Sequence, residues 1–521
     1  MAEADRQWKD NAVSAAAPVW SVDPRTGKPR EEVAVEATPE EVDQAVRAAW
    51  SVRGTLADLS VRAVFLRTAA DLLDASADHV VEAADAETAL GPVRLRGELA
   101  RTSAQLRAFA EAVEDGSFLD IRIDHADPSR TPPWPDLRRV KIPLGVVAVY
   151  SASNFPLAFS VPGGDTASAI AAGCPVVVKA HPDHPATSEL CVSLLRRAAV
   201  LAGLPEDVVT LVHGFTAGVE LVRHPLVAAA GFTGSVRGGR ALFDAAAARP
   251  VPIPFHGELG SLNPVVVTAA AAEERGEQIG AGLGASMTMG VGQFCTKPGF
   301  VLVPRGGAGD ALLKALTAAV CDTDAGVMLD HRMRDAFVAG VAERAALTGV
   351  EAPVTPGAGG EHTVSGGFLT VPAALLVEEG EHDLLLEECF GPVTVVARYA
   401  DESEIAAVLS RLPGNLTATL QLSTAEAAGE GGGAQLLAEL TALAGRVLVD
   451  GWPTGVAVAP AQHHGGPYPA TTSTSTSVGA TAVERWLRPV TYQSTPQALL
   501  PPELRDDNPL GLPRRVNGTL G

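Results

Sequence analysis

From residue 141 onward, short apolar runs alternate with longer stretches of helical periodicity. Residues 143–150 (PLGVVAVY), 173–179 (GCPVVVK), 208–212 (VVTLV) and 227–232 read as strands buried on both faces. Residues 162–172 and 187–202 between them carry the helical pattern. A second series follows, with strands expected at 264–267, 300–303 and 393–397 and helices at 311–320 and 330–347. Strands alternating with helices imply parallel sheets with right-handed crossovers. Residues 40–115 are helical throughout, and Thr38-Pro39-Glu40-Glu41 supplies a cap, a proline at the first turn and early acids. The run Thr131-Pro132-Pro133-Trp134-Pro135 cannot be helical and suits an excursion or edge hairpin. Residues 429–433 (GEGGG) read as a loop. Residues 470–481 (ATTSTSTSVGAT) read as a polar, low-complexity surface loop.

Composition narrows the class. The chain has 521 residues, 46% hydrophobic and 19% charged, which gives ample core and excludes a disordered chain. The net charge of −21 argues against nucleic acid or an anionic membrane as partner. No apolar run is long enough to span a membrane, and the N-terminal MAEADRQWKDNAVS has no apolar leader region. The five cysteines (Cys174, Cys191, Cys295, Cys321 and Cys389) form no CxxC pair, which suits a reducing, cytoplasmic setting.

Residues 280–285 (GAGLGA) match the dinucleotide fingerprint G-x-G-x-x-A, but the match lies inside a predicted helix instead of directly after a strand. It reads as small residues on a tightly packed helix.

Three segments carry chemistry. Residues 290–298 (GVGQFCTKP) set Cys295 among glycines and polar neighbours, where other groups can approach. A cysteine nucleophile there needs an oxyanion donor and a base. Residues 256–264 (HGELGSLNP) put Glu258 on a glycine-flanked turn. Residues 149–156 (VYSASNFP) put Asn154 just past the carboxyl end of a strand, where open α/β sheets bind ligands. Lys297 either lowers the thiol pKa or faces solvent. The pair His463-His464 is assigned to a loop, because as metal ligands they have no evident acidic or cysteine partner in the sequence. No metal site is expected.

Six segments, SNFP (153–156), PVVVKAHP (175–182), GFTGS (231–235), ELGSLNP (258–264), GQFCTKPG (292–299) and EECFGPV (387–393), together resemble the aldehyde dehydrogenase superfamily in order and spacing. GELARTSAQLR (97–107) and HGGPYPATT (464–472) resemble the branch that contains NADP-dependent fatty aldehyde and 2,5-dioxopentanoate dehydrogenases. The resemblance implies an α/β fold with two doubly wound αβ domains and a small β bridging element for oligomerisation. The implied cofactor domain is 1–117 with 141–256, and the catalytic domain is 257–484. The bridge is 118–140 with 485–495, and 496–521 is an unassigned tail. The implied partners are an aldehyde and a second copy of the chain, as homodimer or homotetramer.

The resemblance also implies roles. Cys295 is the nucleophile, Glu258 the general base, and Asn154 with the Cys295 N–H the oxyanion hole. Lys179 contacts the adenosine ribose or its phosphate, Gly234 and Ser235 the pyrophosphate, and Glu388 and Phe390 the nicotinamide riboside. Pro182 stands where NAD-preferring relatives often carry an acid, so NADP is the expected cofactor, with NAD also usable. His181 is a candidate second cation for the 2′-phosphate. Arg101 and Gln105, four apart on one helix, are the candidate substrate residues. Arg101 would hold the carboxylate of a semialdehyde acid such as 2,5-dioxopentanoate. If it instead pairs with Glu98 or Glu111, a long aliphatic aldehyde becomes the alternative. A cysteine-dependent esterase is the competing class.

Overall fold

The computed structural model of the chain describes residues 17–520. The leader-free reading of the first 14 residues falls outside them.

The first αβ series forms a parallel five-stranded sheet. In chain order its strands are β1 (Val146–Tyr150), β2 (Val176–Lys179), β3 (Val209–Val212), β4 (Val227–Thr233) and β5 (Phe255–Glu258), and the spatial order is 3-2-1-4-5. Val147, Val149, Val176 and Val178 face the helices Leu59–Ala75, Pro92–Asp115 and Pro185–Leu201 in one core. Val146, Ala148, Tyr150 and Val177 face Val42, Val46, Leu221 and Phe255 on the other side. Burial on both faces explains why these strands are apolar without alternation. The helix Pro39–Val52 begins at a Thr38–Glu41 capping box.

The second sheet has seven strands: β6 (Pro264–Val267), β7 (Phe300–Pro304), β8 (Glu351–Val354), β9 (Gly367–Pro372), β10 (Val393–Tyr399), β11 (Asn415–Gln421) and β12 (Ala444–Val449). Their order is 8-9-10-7-6-11-12, parallel except at the β8 edge. Strands β8, β9, β11 and β12 were not evident from apolar patterning. In β11 the reason is chemical: Asn415, Thr417 and Thr419 are fully buried in a strand that reads as polar.

A third sheet joins distant parts of the chain. Leu487–Gln493 pairs with Leu137–Pro143, which pairs with Ile121–Asp124. The C-terminal residues extend it, because Arg514–Val516 runs parallel to Ile121–Asp124 and turns back as Thr519–Leu520. Arg138 anchors this tail by donating to the Leu504 carbonyl and the Asp506 carboxylate. Among the described residues no helix is long and apolar enough to cross a membrane.

The 280–285 glycines lie within the helix Ala269–Thr288, packed against the helix Gly307–Cys321. A Cβ on Gly280 would sit 2.2 Å from the Leu312 carbonyl oxygen, and one on Gly284 2.6 Å from Ala319 Cβ. They serve close helix packing, not phosphate binding. Gly280→Ala should therefore destabilise the protein by about 1–3 kcal/mol through overpacking. Thermal unfolding reads this as a lower Tm, while the KM for the nicotinamide cofactor at 25 °C stays unchanged.

Candidate active site

Asn154 lies just past β1, Glu258 is the last residue of β5, and Cys295 lies between the helix Ala269–Thr288 and β7; hydrogen bonds bring the three segments together. Cys295 comes just after a tight turn in which Gly290, Val291 and Gly292 have φ of 55°, 59° and 65°. Left-handed backbone is costly for a β-branched residue such as Val291. The turn is held by Gln293, whose side-chain oxygen accepts from Leu329 N at 2.9 Å. Asn263 holds the other side, its amide donating to the carbonyls of Cys295 (2.8 Å) and Lys297 (2.9 Å). Asn154 does not cap a helix. Its amide donates to the Gln293 carbonyl at 3.0 Å, two residues before the thiol, and one N–H remains for another acceptor.

Glu258 is 3% exposed, and His464 is 1% exposed. His464 Nε2 lies 2.8 Å from Glu258 Oε1 and 3.8 Å from Cys295 Sγ. Ser477 Oγ donates to Glu258 Oε2 at 2.8 Å. Burial alone would raise the Glu258 pKa, but His464, Ser477 and the thiol outweigh it and hold the carboxyl below its usual value. The Cys295 thiol is pushed well above its usual value, by burial first and then by the negative charge of Glu258; Arg101 partly opposes this. The resting pair is thus a protonated thiol beside an ionised carboxylate.

Two expectations are corrected here. His464 is part of the site, not merely of a loop, and it has both a cysteine and an acidic partner. Residues 470–478 are not a surface loop. They run beside Glu258, with Leu259 N donating to the Ala470 carbonyl and Gly257 N to Thr472 Oγ1. Ala470, Thr471, Thr476, Ser477 and Val478 are buried. The only sequence signal for this was hydroxyl density, which marks a buried polar network as readily as a solvated loop.

Lys297 matches neither expectation. It is 2% exposed and donates to the carbonyls of Cys389 (3.0 Å) and Val393 (2.7 Å). It thereby ties the nucleophile loop to the segment that carries Glu388 and Phe390. Glu388 is pushed up to about 7 by burial, opposed by the Lys297 charge, and its carboxylate lies over Gly260.

Arg101 makes no ion pair with Glu98 or Glu111. Its Nε and Nη2 are shielded from solvent and have no partner, and its guanidinium stands 5.8 and 5.4 Å from the Phe155 and Phe159 ring centres. Glu98 is spent elsewhere, accepting from Leu157 N and Ala158 N. Gln105 is buried against Gly164 beside the Ser477 carbonyl. Arg94, overlooked in the sequence, donates to the Asn154 carbonyl at 2.6 Å and lies between Phe155 and Phe294.

The aldehyde dehydrogenase family pattern matches residues 12–429. The chain belongs to the aldehyde dehydrogenase family. It is 48% identical over 469 residues to alpha-ketoglutaric semialdehyde dehydrogenase 2 of Azospirillum brasilense, covering 88% of this chain and 87% of the relative. It is 43% identical over 489 residues to the alpha-ketoglutaric semialdehyde dehydrogenase of Acinetobacter baylyi, covering 93% and 92%. Solved aldehyde dehydrogenases share the fold. A putative one from Burkholderia cenocepacia superposes with a TM-score of 0.78 at 21% identity, over 94% of this chain and 96% of that one. Aldehyde dehydrogenase 21 from Physcomitrella patens, in complex with the product succinate, gives 0.77 at 20% identity, over 93% and 96%. The protein is an aldehyde dehydrogenase, oxidising an aldehyde to a carboxylic acid with NAD(P).

The residues present fit such a dinucleotide. A cavity of about 770 Å³ is lined by Ser235, Arg237, Gly260, Met333, Phe337, Glu388 and Phe390. Ser235 caps the helix Val236–Ala247, so free N–H groups face this cavity, while the Gly234 N–H is taken by the Glu258 carbonyl. Lys179, at the end of β2, is buried with its ammonium 4.8 Å from the exposed Phe215 ring. Burial pushes Lys179 down to about 8, opposed by Asp183 and Glu36. His181 stacks on His184, and burial holds its pKa well below the usual histidine value, so it is neutral and adds no charge for a phosphate.

A 2′-phosphate at Lys179 would depend on that charge. As pH rises through about 8 the ammonium is lost, so the KM for NADP should climb several-fold between pH 7 and 9. The KM for NAD should move less, and initial-rate kinetics at saturating aldehyde compare the two.

Proposed function

We propose that the protein oxidises 2,5-dioxopentanoate, an aldehyde carrying a 2-oxo acid at its far end, with NADP preferred over NAD. The observation that carries this reading is the unpartnered Arg101 guanidinium, whose charge acts on both Cys295 and Glu258. A buried cation with free donors beside a nucleophile suits a substrate whose tail is an anion. The names and identities of the two bacterial relatives support the same substrate. A plain alkanal would leave those donors unmet, which disfavours the long-chain alternative.

In this reading Arg101 seats the carboxylate and the aldehyde carbonyl comes to Cys295. Sγ attacks the carbonyl carbon as the thiol proton passes to Glu258. The carboxylate can take it because His464 and Ser477 hold it ionised and aimed. The oxyanion meets the remaining Asn154 N–H and the Cys295 N–H, a contribution of about 3 kcal/mol per donor. Glu388 and Phe390 would hold a nicotinamide beside the tetrahedral carbon, and its chemistry would be to take up the hydride. Glu258 releases that first proton to solvent and, ionised again, draws a proton from water as the water attacks the thioester; the acid departs as Sγ takes that proton back. Lys297 positions Glu388 and Phe390 relative to the nucleophile. Lys179 and the Ser235 helix start hold the phosphates, and Pro182 leaves the 2′-phosphate unopposed.

A cysteine esterase would also use the Cys295–His464 contact. It would have no use for the 770 Å³ cleft or for Lys179. We place the enzyme in the cytoplasm as a homodimer or homotetramer. Leu487–Gln493 is an edge strand of the bridging sheet with one side unpaired in this chain, which supports assembly through that sheet.

Arg101→Ala should raise the KM for 2,5-dioxopentanoate by about 10–100-fold, the worth of a charge-assisted hydrogen bond. The KM for hexanal should stay within twofold, and equal losses on both substrates would refute the anchor. Cys295→Ala should abolish reduced-cofactor formation with either substrate while leaving cofactor affinity, read by fluorescence titration, intact.

A further inference from the structure

We infer that Cys295, His464 and Glu258 together form a three-ligand site for a thiophilic divalent ion, zinc foremost, which holds the enzyme in a reversibly inhibited state. The inference is independent of which aldehyde is the substrate.

Sequence alone hid this constellation, because 169 residues separate the cysteine from the histidine. In the fold one donor atom from each of the three lies within 4.8 Å of the other two. The Sγ–Nε2 distance is 3.8 Å and the Nε2–Oε1 distance 2.8 Å. Zinc bonds of about 2.3 Å to sulfur and about 2.0–2.2 Å to nitrogen and oxygen set tetrahedral ligand edges near 3.3–3.6 Å. The sulfur–nitrogen edge is close to this already. The imidazole and carboxylate need to part by about half an ångström to meet the same requirement.

The donor set also selects the ion. One thiolate, one imidazole and one carboxylate suit zinc, whereas calcium and magnesium take oxygen ligands. With Cys295 as thiolate and Glu258 ionised, two negative charges meet two positive ones. The fourth position opens toward the substrate, since Cys295 is the least buried of the three. That leaves room for a water and blocks the aldehyde.

The exchange balances without any redox change. The S–H bond breaks and its proton goes to solvent as the S–Zn bond forms. The imidazole proton moves from Nε2 to Nδ1, freeing the Nε2 lone pair for the ion.

The surroundings mark the ion as a visitor instead of a resident. His464 Nδ1 is buried with no hydrogen-bond partner, so nothing orients the imidazole from behind. A missing partner of this kind loosens a metal site by about 10–100-fold. Ser477 steadies only the carboxylate. Binding is therefore reversible by a chelator.

The test uses the full-length, cofactor-free protein, without thiols or chelators in the buffer. Zinc chloride is titrated against a chromophoric chelator, and alkylation of Cys295 by iodoacetamide is followed in parallel. One zinc per chain, protection of Cys295, and full recovery of aldehyde oxidation with EDTA are expected. Cys295→Ser and His464→Gln should each weaken binding at least tenfold, whereas Cys321→Ser, at an exposed cysteine, should not. Unchanged affinity in folded His464→Gln would show capture by the thiol alone and overturn the proposal. So would loss of binding in Cys321→Ser. Cobalt(II) added to the unaltered protein gives a readout that needs no variant. Intense tetrahedral bands with a thiolate charge-transfer band support the site, and a weak octahedral spectrum refutes it.

Discussion

A carboxylate buried beside a thiol is the constraint around which the site is organised. Glu258 cannot stay ionised in the interior without partners, and a protonated Glu258 could not take the thiol proton. The fold meets this with a segment from far along the chain. Residues 464–478 return to strand β5, where His464 and Ser477 each bind one carboxylate oxygen. Thr471, Thr472 and Ser473 continue the network, bonding Gly466, Gly257 and His256. The concentration of serine and threonine here is the hydrogen-bond supply for one buried charge.

The same logic extends outward. Asn263 fixes the carbonyls of Cys295 and Lys297 and is itself fixed by Thr417 on β11. Lys297 reaches the other way and binds two carbonyls of the nicotinamide-side segment. Buried polar groups thus connect the thiol to two strands and to the cofactor cleft. Gly292 allows this closeness, since a Cβ there would stand 2.3 Å from the Gly391 carbonyl. Rigid placement of this kind is what lets a protonated resting thiol react, because its base is already aimed.

Arg101 differs from its neighbours in the site. Glu258 and Lys297 each have hydrogen-bond partners for their charge, while two of the Arg101 donors have none. Phe155 and Phe159 shield it and offer only their ring faces. A protein tolerates such an expense where a ligand completes the set, and the neighbouring Glu98 is bound to two backbone N–H groups and does not use those donors.

Local pattern determined much of this protein. Continuous apolar runs named four of the five strands of the first sheet, because both faces of that sheet are covered; β5, with His256 and Glu258 in it, read as a turn. The glycine run at 280–285 was legible as packing because no strand precedes it. Six short segments carried the family and its residues. What the sequence could not reveal were residues whose meaning depends on what lies across the fold. His464 looked idle, Ser477 looked solvated, Lys297 stood open between the thiol and solvent, and the buried threonines of β11 gave no apolar strand pattern. His181 looked like a cation until burial made it neutral. In each case the side chain's chemistry is set by desolvation and by a partner more than 30 residues away or by a buried neighbour, and only the tertiary structure determines either.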